Sequence, residues 1–387
     1  IIGRNEKSEE LLFYLHNMDP SHPGIKNTIA ESALVNNKKK KALQLFYEAT
    51  SFHSSGNEQQ QQLPPWELVT VWNQIATLEC DSPDTSTKKK KAESNKRCVD
   101  AWLMTFEIAI SLQPMDREFA TRTVANTANW MFKHIAPVEA MLELGTRAVA
   151  LGLINAPLQL PQKLIRNVSF LPYRDDAHQW KAVQHLEQHY PQIREEVLAI
   201  YKSGALAQSS YLDGAQLHIA GEWKELDIIK MGWVQPQALQ ILPITSKIVM
   251  SLVDGNSMVH GGSKISLMRP GTIVRPHTGQ TNARLRIHLG IRIPQPDDYY
   301  IRVNNETRTW VEGKCIVIDD SFVHEVWHTG KTNMTRIVLI VDVWHPEMDE
   351  TQRRESIRID EDDEDDQRGQ QNMELYNHHT KHPRQAL

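Results

Sequence analysis

Part way along the chain the hydrophobic period changes, so one fold class cannot serve both halves. From about Ile25 to Lys202 apolar residues return at helical spacing, and Val99, Trp102, Leu103, Phe106 and Ile110 form one such stripe, closed by Pro114. Asp116 is placed to cap a second helix carrying Phe119, Val124, Ala128 and Phe132. A third starts at Pro137 and carries Met141, Leu144 and Ala148; Trp180, Val183 and Leu186, then Ile193, Val197, Ile200 and Tyr201, continue the pattern. Beyond about Gly221 the period falls to two. Strands are expected over 264–268, 285–293, 299–303, 315–318 and 337–343, separated by turn residues.

The expected class is α+β, in three parts. A helical, repeat-like domain covers 1–206, with an irregular bundle as the open alternative because no fixed repeat period is found. A double-sheet barrel or sandwich covers 207–349. The stretch 350–387, with its acidic block Glu361-Asp-Asp-Glu-Asp-Asp366, is expected to be a disordered acidic and polar tail.

With 387 residues, 40% of them hydrophobic, the chain has ample material for two cores. A net charge of -5 speaks against nucleic acid as a partner. No apolar run approaches the ~20 residues of a membrane helix; a membrane anchor is expected only upstream of Ile1. Cys80, Cys98 and Cys315 make no disulfide framework, and at most one pair. The lysine runs 38–41 and 88–91 have no interleaved aromatics and read as solvated faces.

Two histidines in the strand-rich half stand out by their settings. His277 lies in Arg275-Pro-His-Thr-Gly279 and His324 in Asp319-Asp-Ser-Phe-Val-His-Glu-Val-Trp327. Neutral imidazole suits Fe(II), which oxygenases usually hold with two His and one carboxylate. The place for that carboxylate is taken by Gly279, and two histidines alone are a weak signal. The neighbours strengthen it. Along Arg284-Leu-Arg-Ile-His-Leu-Gly-Ile-Arg-Ile293 one face is Leu and Ile, and the other carries Arg284, Arg286, His288 and Arg292. An edge strand with a solvated polar face would look similar, but this basic face follows His277 closely in a negatively charged chain. Guanidinium grips carboxylate through two hydrogen bonds. Arg336 opens the apolar strand Arg336-Ile-Val-Leu-Ile-Val-Asp-Val-Trp344, where a buried Arg requires an anion.

Three stretches together resemble the aspartyl/asparaginyl β-hydroxylase family: Pro276-His-Thr-Gly-Gln-Thr-Asn-Ala-Arg-Leu-Arg-Ile-His-Leu-Gly290, Ile318-Asp-Asp-Ser-Phe-Val-His-Glu-Val-Trp327 and Ile340-Val-Asp-Val-Trp-His-Pro346. Weaker similarity reaches back to Gly221-Glu-Trp223, so about a third of the chain is covered. The resemblance implies a double-stranded β-helix (jelly-roll or cupin-like) domain preceded by helical repeats. It implies Fe(II) held by His277 and His324 with no carboxylate ligand, in keeping with Gly279. It implies 2-oxoglutarate at Ser266, His288 and Arg336, with O2 as the other co-substrate. Substrate contacts are implied at Arg284, Arg286 and Lys264, and a catalytic acidic group near the metal water at Asp320. The implied partner is a polypeptide presenting Asp or Asn, EGF-like domains among the candidates, and the implied compartment is the endoplasmic reticulum lumen or membrane. This sequence departs from the family in three places. There is no cysteine pair over 237–247, His218 stands near a position where an Arg is usual, and a short insertion separates His324 from Arg336.

The expected function is therefore Fe(II)- and 2-oxoglutarate-dependent hydroxylation of the β-carbon of Asp or Asn. The alternatives are the same chemistry on a lipid or small molecule, halogenation at a site lacking the carboxylate, and a non-catalytic helical scaffold with a relic barrel.

Overall fold

The computed structural model describes residues 22–51, 63–81, 86–134, 138–209, 211–212, 217–252, 261–294, 298–328 and 333–357. The chain divides into two compact units, Ile1–Leu153 and Ile154–Leu387.

The first unit is helical: α1 (Pro23–Val35), α2 (Lys39–Ser51), α3 (Pro65–Asp81), α4 (Lys88–Ser111), α5 (Arg117–His134) and α6 (Val138–Ala150). Each helix packs mainly on its neighbours in sequence, the connectivity of a stacked array. The expected stripe of α4 buries Val99, Trp102 and Phe106. The Asp116 carboxylate caps α5 by accepting from the Phe119 N–H at 2.9 Å. Cys80 and Cys98 form a disulfide between α3 and α4, the single pair the cysteine count allowed.

The second unit begins well before the boundary expected at 206/207. A 3-10 turn (Asp175–Gln179), α7 (Lys181–Gln188), α8 (Tyr190–Lys202) and α9 (Ala205–Ser209) belong with the strands. The reason is their apolar stripe. Val183, Leu186, Ile193, Val197 and Leu206 share one core with Leu285, Ile287, Leu289 and Ile291, the apolar face of the alternating strand. The helices α10 (Pro236–Ile241) and α11 (Pro243–Met250) join the same core through Ala238, Ile248 and Val249.

The strands are β1 (Tyr211–Leu212), β2 (His218–Ala220), β3 (Trp223–Lys230), β4 (Trp233–Val234), β5 (Gly262–Met268), β6 (Ile273–His277), β7 (Arg284–Arg292), β8 (Tyr299–Val303), β9 (Glu306–Arg308), β10 (Cys315–Ile318), β11 (His324–His328) and β12 (Arg336–Trp344). They form two antiparallel sheets, one ordered β1-β3-β5-β12-β7-β10 with β4 on β3, the other β2-β6-β11-β8-β9. A second core lies between the sheets, where Val274, Tyr299, Ile301, Val303 and Val326 of the smaller meet Met268, Ile318, Val338 and Ile340 of the larger. Every residue of β12 is buried, since it is central in its sheet with a core on each side. The expected disordered tail starts instead with α12 (Glu350–Ile357), tied down where Gln352 donates to the Arg166 carbonyl at 3.1 Å; 358–387, with the acidic block, lies outside the described residues. No described helix is long and apolar enough to cross a membrane.

Candidate metal centre and anion socket

His277 ends β6 and His324 begins β11, and antiparallel pairing makes these two residues direct cross-strand partners. The register shifts at the next position of β11, so the ladder is interrupted beside the pair. The two imidazoles lie with ring centroids 4.1 Å apart and planes 50° to each other. Each is fixed by its own backbone: Nδ1 of His277 donates to the Arg275 carbonyl at 2.8 Å, and Nδ1 of His324 to the Phe322 carbonyl at 2.9 Å. That hydrogen bond settles the tautomer, leaving Nε2 of both rings as the unprotonated nitrogen a metal needs. Burial lowers both pKa values, well below the usual range for His277, where repulsion from His324 adds to it. Both rings are therefore neutral at physiological pH. They fit a metal as a two-histidine site, and no group of three or more His, Cys, Asp or Glu placed to hold a metal ion exists among the described residues.

Gly279 is where a third, carboxylate ligand would be expected, and the structure shows why no side chain fits. A Cβ built there would lie 2.5 Å from Cγ and Oδ1 of Asp320 and 2.6 Å from its Oδ2. The Gly279 N–H donates to the Asp320 carbonyl at 2.6 Å, so the two backbones are tied together as well.

Every site residue expected from the sequence lines one cavity of about 390 Å³: Lys264 and Ser266 from β5, Arg284, Arg286 and His288 from β7, Arg336 from β12, and His277, Asp320 and His324 opposite. The period of two explains this arrangement. The odd positions of β7 face the helices, so Arg284, Arg286 and His288 face the cavity, whereas Arg292 at the end of the strand lies over the Tyr201 ring of α8.

Three of the basic groups meet carboxylates of the protein itself. Lys264 Nζ lies 2.6 Å from Glu225. Arg284 reaches Asp320 at 2.8 Å and Asp342 at 3.7 Å. Arg286 holds Asp342 through Nε at 2.7 Å and Nη2 at 3.1 Å, and lies 3.2 Å from Asp320. Burial opposes ionisation of Asp320, but Arg284 and Arg286 outweigh it and hold the carboxyl far below its usual range. The same balance, burial outweighed by Arg286 and Arg284, lowers Asp342. Arg284 and Arg286, expected as cations awaiting a substrate acid, are thus already in a four-membered network. The carboxylates missed from the sequence are Asp342 of this network and Glu225 beside Lys264. Asp342 was legible, because a lone carboxylate inside an apolar strand requires a cation.

Arg336 differs from these. It is 2% exposed, yet no carboxylate of the described residues pairs with it, and burial pushes its pKa down to about 10. Its Nη1 donates to Ser266 Oγ at 3.3 Å, while its Nε finds no partner among the described residues. Ser266 Oγ also accepts from Trp223 Nε1 at 3.0 Å. His288, likewise buried, has no partner at Nε2 among the described residues. Unmatched donors beside an uncompensated cation make a socket for a carboxylate, since leaving them so costs about 1–3 kcal/mol each.

A buried histidine pair thus lies next to such a socket, between two facing antiparallel sheets. The family model described as aspartyl/asparaginyl beta-hydroxylase matches residues 187–346, the stretch that carries the histidine pair and the socket. The human protein named aspartyl/asparaginyl beta-hydroxylase is 40% identical over 44% of this chain and 22% of its own length. Aspartate beta-hydroxylase domain-containing protein 2 of Xenopus tropicalis is 33% identical over 54% of this chain and 57% of its own. An ornithine lipid ester-linked acyl 2-hydroxylase of Rhizobium tropici is 32% identical over 42% of this chain and 56% of its own. The chain thus spans less than two thirds of each of these relatives.

Proposed function

We propose that the second unit is an Fe(II)- and 2-oxoglutarate-dependent dioxygenase that hydroxylates the β-carbon of Asp or Asn in a polypeptide. The observation that carries this reading is the coexistence, in one cavity, of a neutral histidine pair and an uncompensated buried Arg336. The strand orders β5-β12-β7-β10 and β6-β11-β8-β9 are read as the double-stranded β-helix that such enzymes use.

In this reading His277 and His324 would hold the iron through Nε2. Arg336 takes the distal carboxylate of 2-oxoglutarate, with Ser266 and His288 donating beside it. Bound iron, 2-oxoglutarate and O2 supply the oxidation, in which a C–H hydrogen is replaced by hydroxyl while 2-oxoglutarate becomes succinate and CO2. The chain's own work is orientation and the exclusion of water. Arg284, Arg286 and Lys264 present N–H groups to the substrate's acid or amide, and Asp320 holds the two arginines in place from beside the metal. The Cys80–Cys98 bond fits the oxidising lumen of the endoplasmic reticulum as the compartment.

The test is mass spectrometry of Asp- and Asn-containing peptides, EGF-like ones included, incubated with the purified chain, Fe(II), 2-oxoglutarate and O2. Gain of one oxygen on Asp or Asn, matched by succinate, is the expected result. The ester-linked acyl 2-hydroxylase among the relatives motivates a second arm with ornithine lipid. Oxidation of acyl chains with none on peptides would replace the substrate assignment. Absence of 2-oxoglutarate turnover with either would remove the enzymatic one.

A further inference from the structure

The three groups of the anion socket do not hold themselves in place. Behind them lies Trp310, between β9 and β10, fully buried and with no part in the chemistry described so far. Its indole Nε1 donates to Nδ1 of His288 at 3.3 Å. The two ring planes are only 9° apart with centroids 6.0 Å apart, so the indole meets the imidazole nearly in plane. Above the ring, Cζ of Arg336 lies 4.4 Å from the centroid. One side chain therefore touches two members of the socket, its edge on His288 and its face on Arg336.

The hydrogen bond has a direct consequence for the imidazole. An indole nitrogen only donates, so Nδ1 of His288 must accept, and a neutral imidazole that accepts at Nδ1 carries its proton on Nε2. Nε2 is the buried atom without a partner. The cation–π contact likewise holds Cζ of Arg336 over the indole without using its N–H groups as hydrogen-bond donors, and the buried Nε of Arg336 has no partner among the described residues.

We propose that Trp310 is the positioning residue of the anion socket: it fixes the Nε2–H tautomer of His288 and holds Arg336 over its ring face, so that both present donors to one carboxylate. The proposal rests on the reading of the cavity as a 2-oxoglutarate site and adds a residue that reading does not contain. It assigns selectivity too, since a socket made only of donors takes an ionised carboxylate and rejects the corresponding amide, whose NH2 would face another donor.

The test has two arms. In the first, the full chain labelled with 15N-histidine is loaded with Zn(II), and the His288 ring is assigned through a His288→Gln variant. Long-range 1H–15N correlation should show the proton on Nε2 of His288; a proton on Nδ1 overturns the proposal without any variant of Trp310. The second measures 2-oxoglutarate binding to the Zn(II)-loaded chain by calorimetry, for the parent and for Trp310→Phe, which keeps a ring face but lacks the N–H. Binding should weaken by on the order of tenfold, Zn(II) affinity should stay unchanged, and discrimination against the C5 amide should shrink. Parental affinity and discrimination in a folded Trp310→Phe protein would overturn it. A parent that binds no 2-oxoglutarate would defeat the underlying functional reading instead, while the tautomer arm would still report on Trp310.

Discussion

Replacing Gly279 by Ala should cost about 3 kcal/mol, and the cost should vanish once Asp320 is gone. The added Cβ would stand 2.5 Å from Cγ and Oδ1 of Asp320, closer than a Cβ contact tolerates. The obstacle is a side-chain end, but not a free one: Asp320 is 1% exposed and its carboxylate is anchored by Arg284 at 2.8 Å and Arg286 at 3.2 Å. Retreat of the backbone is opposed by the Gly279 N–H bond to the Asp320 carbonyl. The carboxylate must therefore swing away from both arginines. Stripping a partner from a buried ion pair costs about 3–5 kcal/mol, and the lower end applies because both arginines still reach Asp342. In an Asp320→Ala background neither the clash nor the pairs exist, and Gly→Ala alone is worth about 0.4–1 kcal/mol in the stabilising direction where the backbone permits it. Urea unfolding of the four proteins of the cycle measures the coupling, expected at about 3 kcal/mol. Additivity within about 0.5 kcal/mol would mean that Asp320 does not occupy the ligand position, and the reasoning would fail.

His277→Ala and His324→Ala should each abolish Mn(II) binding in calorimetry while leaving far-UV dichroism unchanged; retained affinity in either would exclude that residue as a ligand. Burial, with repulsion from His324 in the case of His277, lowers the pKa of both imidazoles. The neutral ring is the ligand form, so metal affinity should stay flat from about pH 8 to 6.5 and fall only below that. A midpoint near an ordinary histidine pKa of about 6.5 would contradict the burial argument. Arg336→Ala should remove 2-oxoglutarate binding with metal affinity intact, and Arg336→Lys should restore little because a point charge lacks the planar fork; parental binding in the alanine variant would refute the socket. Opening the Cys80–Cys98 bond, whose partners are 18 residues apart, should destabilise the helical unit by about 3 kcal/mol in urea unfolding with and without reductant, and equal midpoints would deny the bond that role.

The strands were legible because their side chains alternate and their ends carry turn residues. Segments 299–303 and 315–318 are found where they were expected, 264–268 and 337–343 gained one or two residues at their ends, and 285–293 is found one residue earlier at 284–292. The domain boundary was not legible. A helical stripe such as Val183, Leu186, Ile193 and Val197 announces a buried face but not what buries it, and here that is β7. Pairing of His277 with His324 depends on a cross-strand register that no local pattern encodes; only the resemblance linked them. Trp310 gave no signal of its own, since one tryptophan in a loop is as readily core as function. Arg284 and Arg286 looked like free cations because the sequence shows a strand's face without showing which carboxylates oppose it.

That pairing bears on how the cavity would sort its ligands. Lys264, Arg284, Arg286 and Arg336 stand against Glu225, Asp320 and Asp342, and with the histidines neutral this leaves a surplus of one positive charge. The surplus is not spread over the lining: it belongs to Arg336, the cation with no carboxylate beside it. An anion entering before any metal is therefore drawn to the Arg336 end and gains little from the paired arginines. A divalent metal between His277 and His324 would add a second positive centre, so two separate cationic points would face a dianion with a carboxylate at each end. Once such a co-substrate is bound, net charge offers a second acid only a modest attraction. That acid must use guanidinium N–H groups that Asp320 and Asp342 leave unfilled, or displace one of them. Selection of the substrate then rests on hydrogen-bond direction at Arg284 and Arg286, which the two aspartates fix, rather than on the sign of the cavity. An acid can accept from these groups with both oxygens, and an amide can accept with its oxygen while its NH2 donates to Asp320 or Asp342, acceptors that the Arg336 socket lacks; a hydroxylase of Asp and Asn residues would need that tolerance.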